Sequence, residues 1–244
     1  MIGKKKDSMT RLIYVILISA PIVFFYVLKS NYVAAHVNDY SEKDRYAMVR
    51  HMITIMKFNG KIHTKVYGEE NLPCEGGYVM YPNHQGKYDA LGIIWAHKTP
   101  CTFVIDKKRS GIPFAREFTK LLKASKLDKT DMKSQVKTIM NVVNQVREGR
   151  RYIIFPEGGY NDNNNTVHEF MPGTFQCSVK SKTPIVPVAL IDSYKVFGIN
   201  SLKAVHTQVH FLEPIYYEQY KDLTTKQIAD LVQSQIATVV EACS

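Results

Sequence analysis

A histidine and an aspartate five residues apart, in Asn83-His84-Gln85-Gly86-Lys87-Tyr88-Asp89, close one apolar run, and a later apolar run ends in Phe155-Pro156-Glu157-Gly158-Gly159-Tyr160. Histidine exchanges a proton near neutral pH, and a carboxylate on its far nitrogen fixes the tautomer and stabilises the imidazolium. In that arrangement His84 is a general base and Asp89 its partner. On a continuous α-helix, residues five apart point about 140° away from each other, so the pair meets only if the chain turns between them. Gly86 offers the turn, and Pro82-Asn83 marks a strand end. The expected local structure is a strand, a tight loop carrying His84, and a helix starting near Asp89. A base without a protein nucleophile implies that the substrate brings the hydroxyl, which favours direct acyl transfer over a covalent acyl-enzyme. The second run ends in a rigid-then-flexible turn whose amides can approach an anion or a polar headgroup. Glu157 in that turn would bind a hydroxyl or hold a cation. Taken singly, each motif also fits a bland reading: a satisfied histidine at a strand end, and an ordinary surface acid.

Both turns need a scaffold that brings them together. From Lys61 onward short apolar runs alternate with helical stretches, the pattern of an α/β domain. Residues 77–81, 102–105, 151–155, 185–191 and 204–212 read as strands. Residues 132–148 place Val136, Ile139, Met140, Val143 and Val146 on one helical face and stop near Gly149. Thr224-Thr225-Lys226-Gln227 is a capping box opening a last helix. Earlier, residues 41–58 carry Val49, Met52, Ile53 and Met56 at helical spacing, with Arg45, Arg50 and Lys57 as polar positions. That is an amphipathic helix, packed on the domain or lying on lipid headgroups. Trp95 is expected to pack the helix after Asp89 onto the sheet. His206 and His210 share a strand face, read as solvated in preference to metal-binding.

Residues 12–28 (LIYVILISAPIVFFYVL) are uncharged, between Lys4, Lys5, Lys6 and Arg11 on one side and Lys29 on the other. A membrane span takes about 20 apolar residues, and Pro21 would kink a helix there. A cleaved signal peptide is the rival, but no small-residue cleavage site follows and no disulfide framework lies downstream. The expectation is a retained, monotopic anchor: residues 1–60 as membrane anchor and amphipathic helix, residues 61–244 as the catalytic domain. The formal charge of +10 favours anionic partners. Nucleic acid is excluded as the partner, because the basic residues are dispersed and no helix-turn-helix, zinc-finger or RNA-binding aromatic signature is present. The four cysteines, Cys74, Cys101, Cys177 and Cys243, are widely spaced and read as reduced, structural thiols.

With both motifs in view, the chain resembles the 1-acylglycerol-3-phosphate acyltransferase (PlsC-like) family of glycerolipid acyltransferases, over about Lys65 to Tyr194. His84 and Asp89 match its H-x4-D signature, and Phe155-Pro156-Glu157-Gly158 its acceptor-binding motif. The stretch from Asp106-Lys107-Lys108-Arg109 to Ile112-Pro113-Phe114 resembles the block between them. Ile185-Val186-Pro187-Val188 resembles a late block, and Gly68-Glu69-Glu70-Asn71-Leu72-Pro73 a lead-in. The resemblance implies a mixed α/β sheet flanked by helices, with an N-terminal membrane-anchoring helix. It implies transfer of a fatty acyl group from acyl-CoA or acyl-carrier protein to the free hydroxyl of lysophosphatidic acid, giving phosphatidic acid. The implied site has His84 and Asp89 as catalytic residues, with Asn83, Lys108, Lys129, Phe155, Pro156, Glu157 and Gly158 around the substrate. No metal or cofactor is called for, and amides of the His84 loop would serve the oxyanion. The implied place is the cell membrane, with the catalytic domain on the cytoplasmic face at an anionic surface. The family's second motif continues Thr-Arg, its arginine taken to hold the acceptor phosphate; here Gly159 and Tyr160 stand there, and Lys129 occupies the place of a second arginine. That departure leaves open a different lysophospholipid or lipid-amine acceptor, or an inactive lipid-binding homologue.

Overall fold

The computed structural model describes residues 10–18, 20–36, 39–160 and 163–244. Seven strands, β1 (Ile62–Tyr67), β2 (Val79–Pro82), β3 (Thr102–Asp106), β4 (Ser125–Leu127), β5 (Tyr152–Ile153), β6 (Ile185–Ile191) and β7 (Val205–Phe211), form one sheet in the order β1-β7-β6-β2-β5-β3-β4. The helices are α1 (Thr10–Ile18), α2 (Ala20–Ala35), α3 (Glu42–Asn59), α4 (Asp89–Ala96), α5 (Ala115–Leu121), α6 (Met132–Arg147), α7 (Gln176–Ser181), α8 (Lys195–Gly198), α9 (Tyr217–Tyr220) and α10 (Thr225–Cys243). Every neighbouring strand pair is parallel except β6 with β7.

The strands β2 and β6 are buried along their whole length, as parallel strands covered on both faces must be. Alternation sends successive side chains to opposite layers. Tyr78 and Met80 meet Tyr46, Val49 and Ile53 of α3 and Ile93 and Ile94 of α4, while Val79 and Tyr81 meet Val142 and Val146 of α6 and Ile228, Val232 and Ile236 of α10. Because β2, β3, β4, β5 and β6 point the same way, their C-terminal ends share one edge, which is where parallel α/β sheets hold their ligands. His84 follows β2, Arg109 follows β3, Lys129 follows β4, Glu157 follows β5, and Ser193 follows β6.

The Asp131, Thr224 and Ser41 side chains cap α6, α10 and α3, the last two through full capping boxes. Two strands lie outside the sequence expectation. β1 alternates polar residues with buried ones at the sheet edge and β4 is three residues long, so neither carries an apolar run. Two supposedly polar positions of α3 are buried: Arg45 donates to Leu121 O at 3.0 Å and Tyr40 O at 2.7 Å, and Lys57 Nζ sits 2.9 Å from the Trp95 ring centroid. Burial lowers the Lys57 ammonium to about 7. Trp95 packs against the core that α3, α4 and the sheet share, with Lys57 over its ring and its Nε1 donating to Thr54 Oγ1 of α3 at 3.2 Å. His206 stacks on His63 and His210 on Tyr67, and no metal-binding cluster occurs among the described residues. The four cysteines are unpaired.

The apolar run at residues 12–28 lies in α1 and α2, with residue 19 between them outside the described residues. Among the described residues no helix is long and apolar enough to cross a membrane, so the expected membrane-anchoring helix is not found there. Lys4, Lys5 and Lys6 lie outside the described residues. Arg11, read as a flanking charge, is fully buried: it donates to Gly60 O at 3.2 Å, Ser201 O at 2.6 Å and Lys203 O at 2.6 Å, stapling α1 to the domain. Outward from this staple, Ile13, Leu17, Ile18, Phe24, Phe25 and Leu28 are all exposed.

Candidate active site

Beyond Pro82 the chain leaves the sheet, and Asn83 fastens the exit. It is fully buried, its Nδ2 donating to Leu190 O at 3.0 Å and its Oδ1 accepting from Leu190 N at 2.7 Å. Both amide atoms are thereby engaged with β6, so Asn83 lies under the site rather than in it. The chain then reverses, and α4 begins at Asp89. Asp89 closes the reversal itself, its Oδ2 accepting the backbone amides of Gln85 at 2.5 Å and Gly86 at 2.8 Å. Gly86 is not needed for the turn, since a Cβ there would meet Tyr194 Cα at an ordinary 3.6 Å. The same Oδ2 bonds His84 Nδ1 at 2.7 Å, and Oδ1 accepts the Ser193 hydroxyl. Four donors thus converge on a carboxylate with no exposed surface. With Nδ1 engaged, Nε2 is the nitrogen left to a substrate.

The second motif reaches the same place. The His84 ring stacks on Phe155 with centroids 4.1 Å apart and stands T-shaped to Tyr160 with centroids 4.6 Å apart. Glu157 clasps the histidine backbone: Oε1 accepts His84 N at 3.0 Å, and Oε2 accepts Asn163 Nδ2 at 2.7 Å, which also donates to His84 O at 3.0 Å. Gln85 is held likewise, its Nε2 donating to Leu190 O at 2.8 Å and Asn165 Oδ1 at 2.9 Å while Oε1 accepts Ser193 N at 2.9 Å. The asparagine-rich loop after Tyr160 thus braces the His84 loop through Asn163 and Asn165; Asn161 lies outside the described residues. The amides of His84, Gln85 and Gly86 all donate to carboxylates. The oxyanion role expected of them is therefore not open.

The remaining expected residues divide. Gly158 adopts φ +70°, and a Cβ there would come within 2.3 Å of Met171 Cε, so this turn does require glycine. Lys129 Nζ donates to Gly158 O at 2.7 Å, and Pro156 O accepts Met171 N at 2.9 Å. Lys108 is exposed and bonds Asp106 through its backbone amide. Its neighbour Arg109 is exposed as well, and its guanidinium lies 5.1 Å from the Tyr160 ring centroid. Sequence reasoning passed over Gln85, Asn163, Asn165 and Ser193. The available signal was a run of short polar residues just after Pro-Glu-Gly-Gly-Tyr and a serine just past β6.

A family model described as Acyltransferase matches residues 63–191, more than half of the chain. The chain belongs to the Acyltransferase family. The matched region runs from β1 to the end of β6 and contains every residue of the cluster except Ser193. Among similar proteins are the 1-acyl-sn-glycerol-3-phosphate acyltransferase of Borreliella burgdorferi, 28% identical over 204 residues and covering 80% of each chain, and that of Saccharomyces cerevisiae, 26% identical over 196 residues and covering 77% of this chain and 63% of the yeast protein. The crystal structure of PlsC, the 1-acyl-sn-glycerophosphate (LPA) acyltransferase of Thermotoga maritima, superposes with a TM-score of 0.77 over 95% of this chain and 94% of that one. At 18% identity that likeness establishes a shared fold.

In this acyltransferase one acid of the cluster titrates near neutrality. Burial pushes the Glu157 carboxyl up to about 7, opposed by hydrogen bonds from the backbones of His84 and His168 and from Asn163, and aided by the charge of Asp89. As pH falls through that value the carboxyl gains a proton and loses an acceptor site, which loosens the clasp on His84. Activity is expected to rise with pH through about 7. In Glu157→Gln that limb disappears and kcat falls about tenfold, the equivalent of about 1.4 kcal/mol. Because Asn163 lowers the Glu157 pKa, Asn163→Ala moves the limb to higher pH. A kcat–pH profile of the three proteins checks this, and an unmoved limb would refute it. Stability runs the other way: folding raises this carboxyl above its ordinary 4.5, so its contribution is lost as pH climbs to about 7.

Proposed function

We propose that this protein transfers a fatty acyl group from an acyl thioester, carried by coenzyme A or acyl-carrier protein, to the free hydroxyl of 1-acylglycerol-3-phosphate, giving phosphatidic acid. The observation that carries the reading is the His84 Nδ1–Asp89 Oδ2 bond of 2.7 Å at the C-terminal edge of the parallel strands. Nε2 takes the hydroxyl proton as the oxygen attacks the thioester carbonyl. Collapse of the tetrahedral species breaks the C–S bond, and the proton on Nε2 passes to the departing thiolate. Asp89 holds Nδ1–H throughout, while Glu157, Asn163 and Asn83 act as positioning residues. The acceptor follows from the names of the relatives. Labelled acyl-CoA and acyl-carrier protein, each offered with lysophosphatidic acid, test it; no transfer from either donor overturns the reading. A second acceptor, another lysophospholipid or a lipid amine, is motivated by Gly159-Tyr160 and is assayed beside it.

The same reading places the protein on the cytoplasmic face of the cell membrane, residues 1–60 attaching it and residues 61–244 carrying the chemistry. Support comes from the exposed apolar side chains of α1 and α2, with Leu17 68% and Phe24 66% accessible. A stapled helix pair with such a face suits a monotopic contact with one leaflet. Leu17→Asp/Phe24→Asp is expected to cut co-sedimentation with phosphatidylglycerol-containing vesicles at least about tenfold, since each charge replaces about 2 kcal/mol of apolar burial. Unchanged sedimentation would remove this face from membrane attachment.

A further inference from the structure

We infer that Arg109, seated on the ring of Tyr160, is the group that receives the anionic headgroup of the acceptor. This rests on the acyl-transfer reading, since it takes the reacting hydroxyl to lie at His84 Nε2. In a glycerol phosphate the phosphate hangs from a carbon next to the one bearing that hydroxyl. The cation must therefore stand within a side chain's length of His84.

Several cations at this edge are already committed to other groups. Lys107 pairs with Asp128 at 2.9 Å, and Lys129 donates to Gly158 O at 2.7 Å and approaches Asp106 at 4.0 Å. Lys108 is exposed, with its amide on Asp106. Arg109, equally exposed, differs in what it touches. Its guanidinium lies 5.1 Å from the Tyr160 ring, and that ring stands T-shaped to His84 with centroids 4.6 Å apart, so one side chain links the cation to the base. No carboxylate among the described residues forms an ion pair with Arg109. An aromatic face holds the guanidinium plane while leaving its N–H edge outward, the geometry that takes phosphate oxygens two at a time. Gly159, next to Tyr160, adds no side chain to obstruct the approach. Tyr160 is thus a positioning residue for Arg109, and Arg109 determines specificity for a charged acceptor.

The experiment compares lysophosphatidic acid with an uncharged monoacylglycerol as acceptors. Arg109→Ala is expected to raise KM for lysophosphatidic acid about tenfold or more with kcat within about threefold, the pattern of lost ground-state binding. Monoacylglycerol kinetics stay unchanged. Tyr160→Ala reproduces the loss, Tyr160→Phe keeps the ring and the wild-type KM, and the charge control Lys137→Ala changes nothing. In the double variant Arg109→Ala/Tyr160→Arg, a guanidinium returned to the turn recovers affinity. An unchanged KM in Arg109→Ala, or an equal loss with monoacylglycerol, overturns the assignment. A separate arm titrates lysophosphatidic acid into His84→Ala with and without Arg109→Ala. If the wild type transfers nothing to lysophosphatidic acid, the proposed reaction fails by itself. The titration still decides Arg109: weaker binding without it upholds the assignment, and equal or absent binding ends it.

Discussion

Replacing His84 with alanine is expected to slow acyl transfer by about 10³-fold, within the range by which positioned general acid–base groups contribute. The whole effect should fall in kcat, because the ring makes its decisive contact with a proton in flight. His84 is sandwiched by Phe155 and Tyr160 and its side chain is 14% exposed, so the variant also loses aromatic contacts worth about 1 kcal/mol each. That is small against the stability of a domain of this size. Thermal unfolding followed beside single-turnover transfer from an acyl thioester separates the two consequences. A folded His84→Ala protein within tenfold of wild-type turnover would falsify the assignment of His84 as base.

Asp89→Asn is expected to lower activity by a comparable factor for two reasons visible in the geometry. Asp89 Oδ2 accepts from Gln85 N, Gly86 N and His84 Nδ1 together. An amide keeps an oxygen for some of these donors and turns an N–H₂ toward the rest. If that N–H₂ faces His84, the imidazole must carry its proton on Nε2, where it cannot take one from a hydroxyl. If it faces Gln85 and Gly86, the reversal between β2 and α4 opens and the histidine moves. Asp89→Ala leaves these donors buried without a partner, and stability should drop by about 3–5 kcal/mol, the range for breaking a buried charged pair. Urea unfolding measures the second effect and kcat the first. A variant that is destabilised but retains full turnover would make Asp89 purely structural.

The two effects differ because Asp89 has two tasks at one atom. It closes a turn and orients a base, and these cannot be separated by position, only by measurement. His84 has one task, with its backbone held independently by Glu157 and Asn163.

Much of this protein is legible in its sequence. His84 and Asp89 announced themselves because a proton-exchanging side chain and a carboxylate flank a turn at the end of an apolar run. The buried strands β2 and β6 read clearly because a strand covered on both faces must be apolar throughout, and α6 and α10 because caps and periodicity are local properties. The Acyltransferase family was likewise written in ordered motifs. Other features depend on which segments meet. The polar alternation of β1 and the brevity of β4 carry no signal until neighbours pair with them. Residues 12–28 satisfy a hydropathy pattern for a single span, yet no helix among the described residues is long and apolar enough to cross a membrane, and Arg11, far from marking a polar flank, is buried by carbonyls of Gly60, Ser201 and Lys203. Arg45 and Lys57 entered the interior because long side chains can bring a charge to carbonyls or an aromatic face, which periodicity cannot foresee.

At the site itself, residue type determined the chemistry and tertiary structure decided the bracing. The chain order of His84, Arg109, Glu157 and Ser193 says nothing of their meeting; parallel strands that end on one edge bring them together. Asn163, Asn165 and Gln85 are ordinary polar residues until they are placed against backbone groups distant in sequence. The same fold chose Arg109 over Lys108, because the side chains of adjacent residues leave the backbone in different directions and one of them finds the ring of Tyr160. Local sequence can specify which groups donate, accept or carry charge. Distances of a few ångströms between groups far apart along the chain are set by packing, and the hydrogen bonds that orient a base depend on those distances.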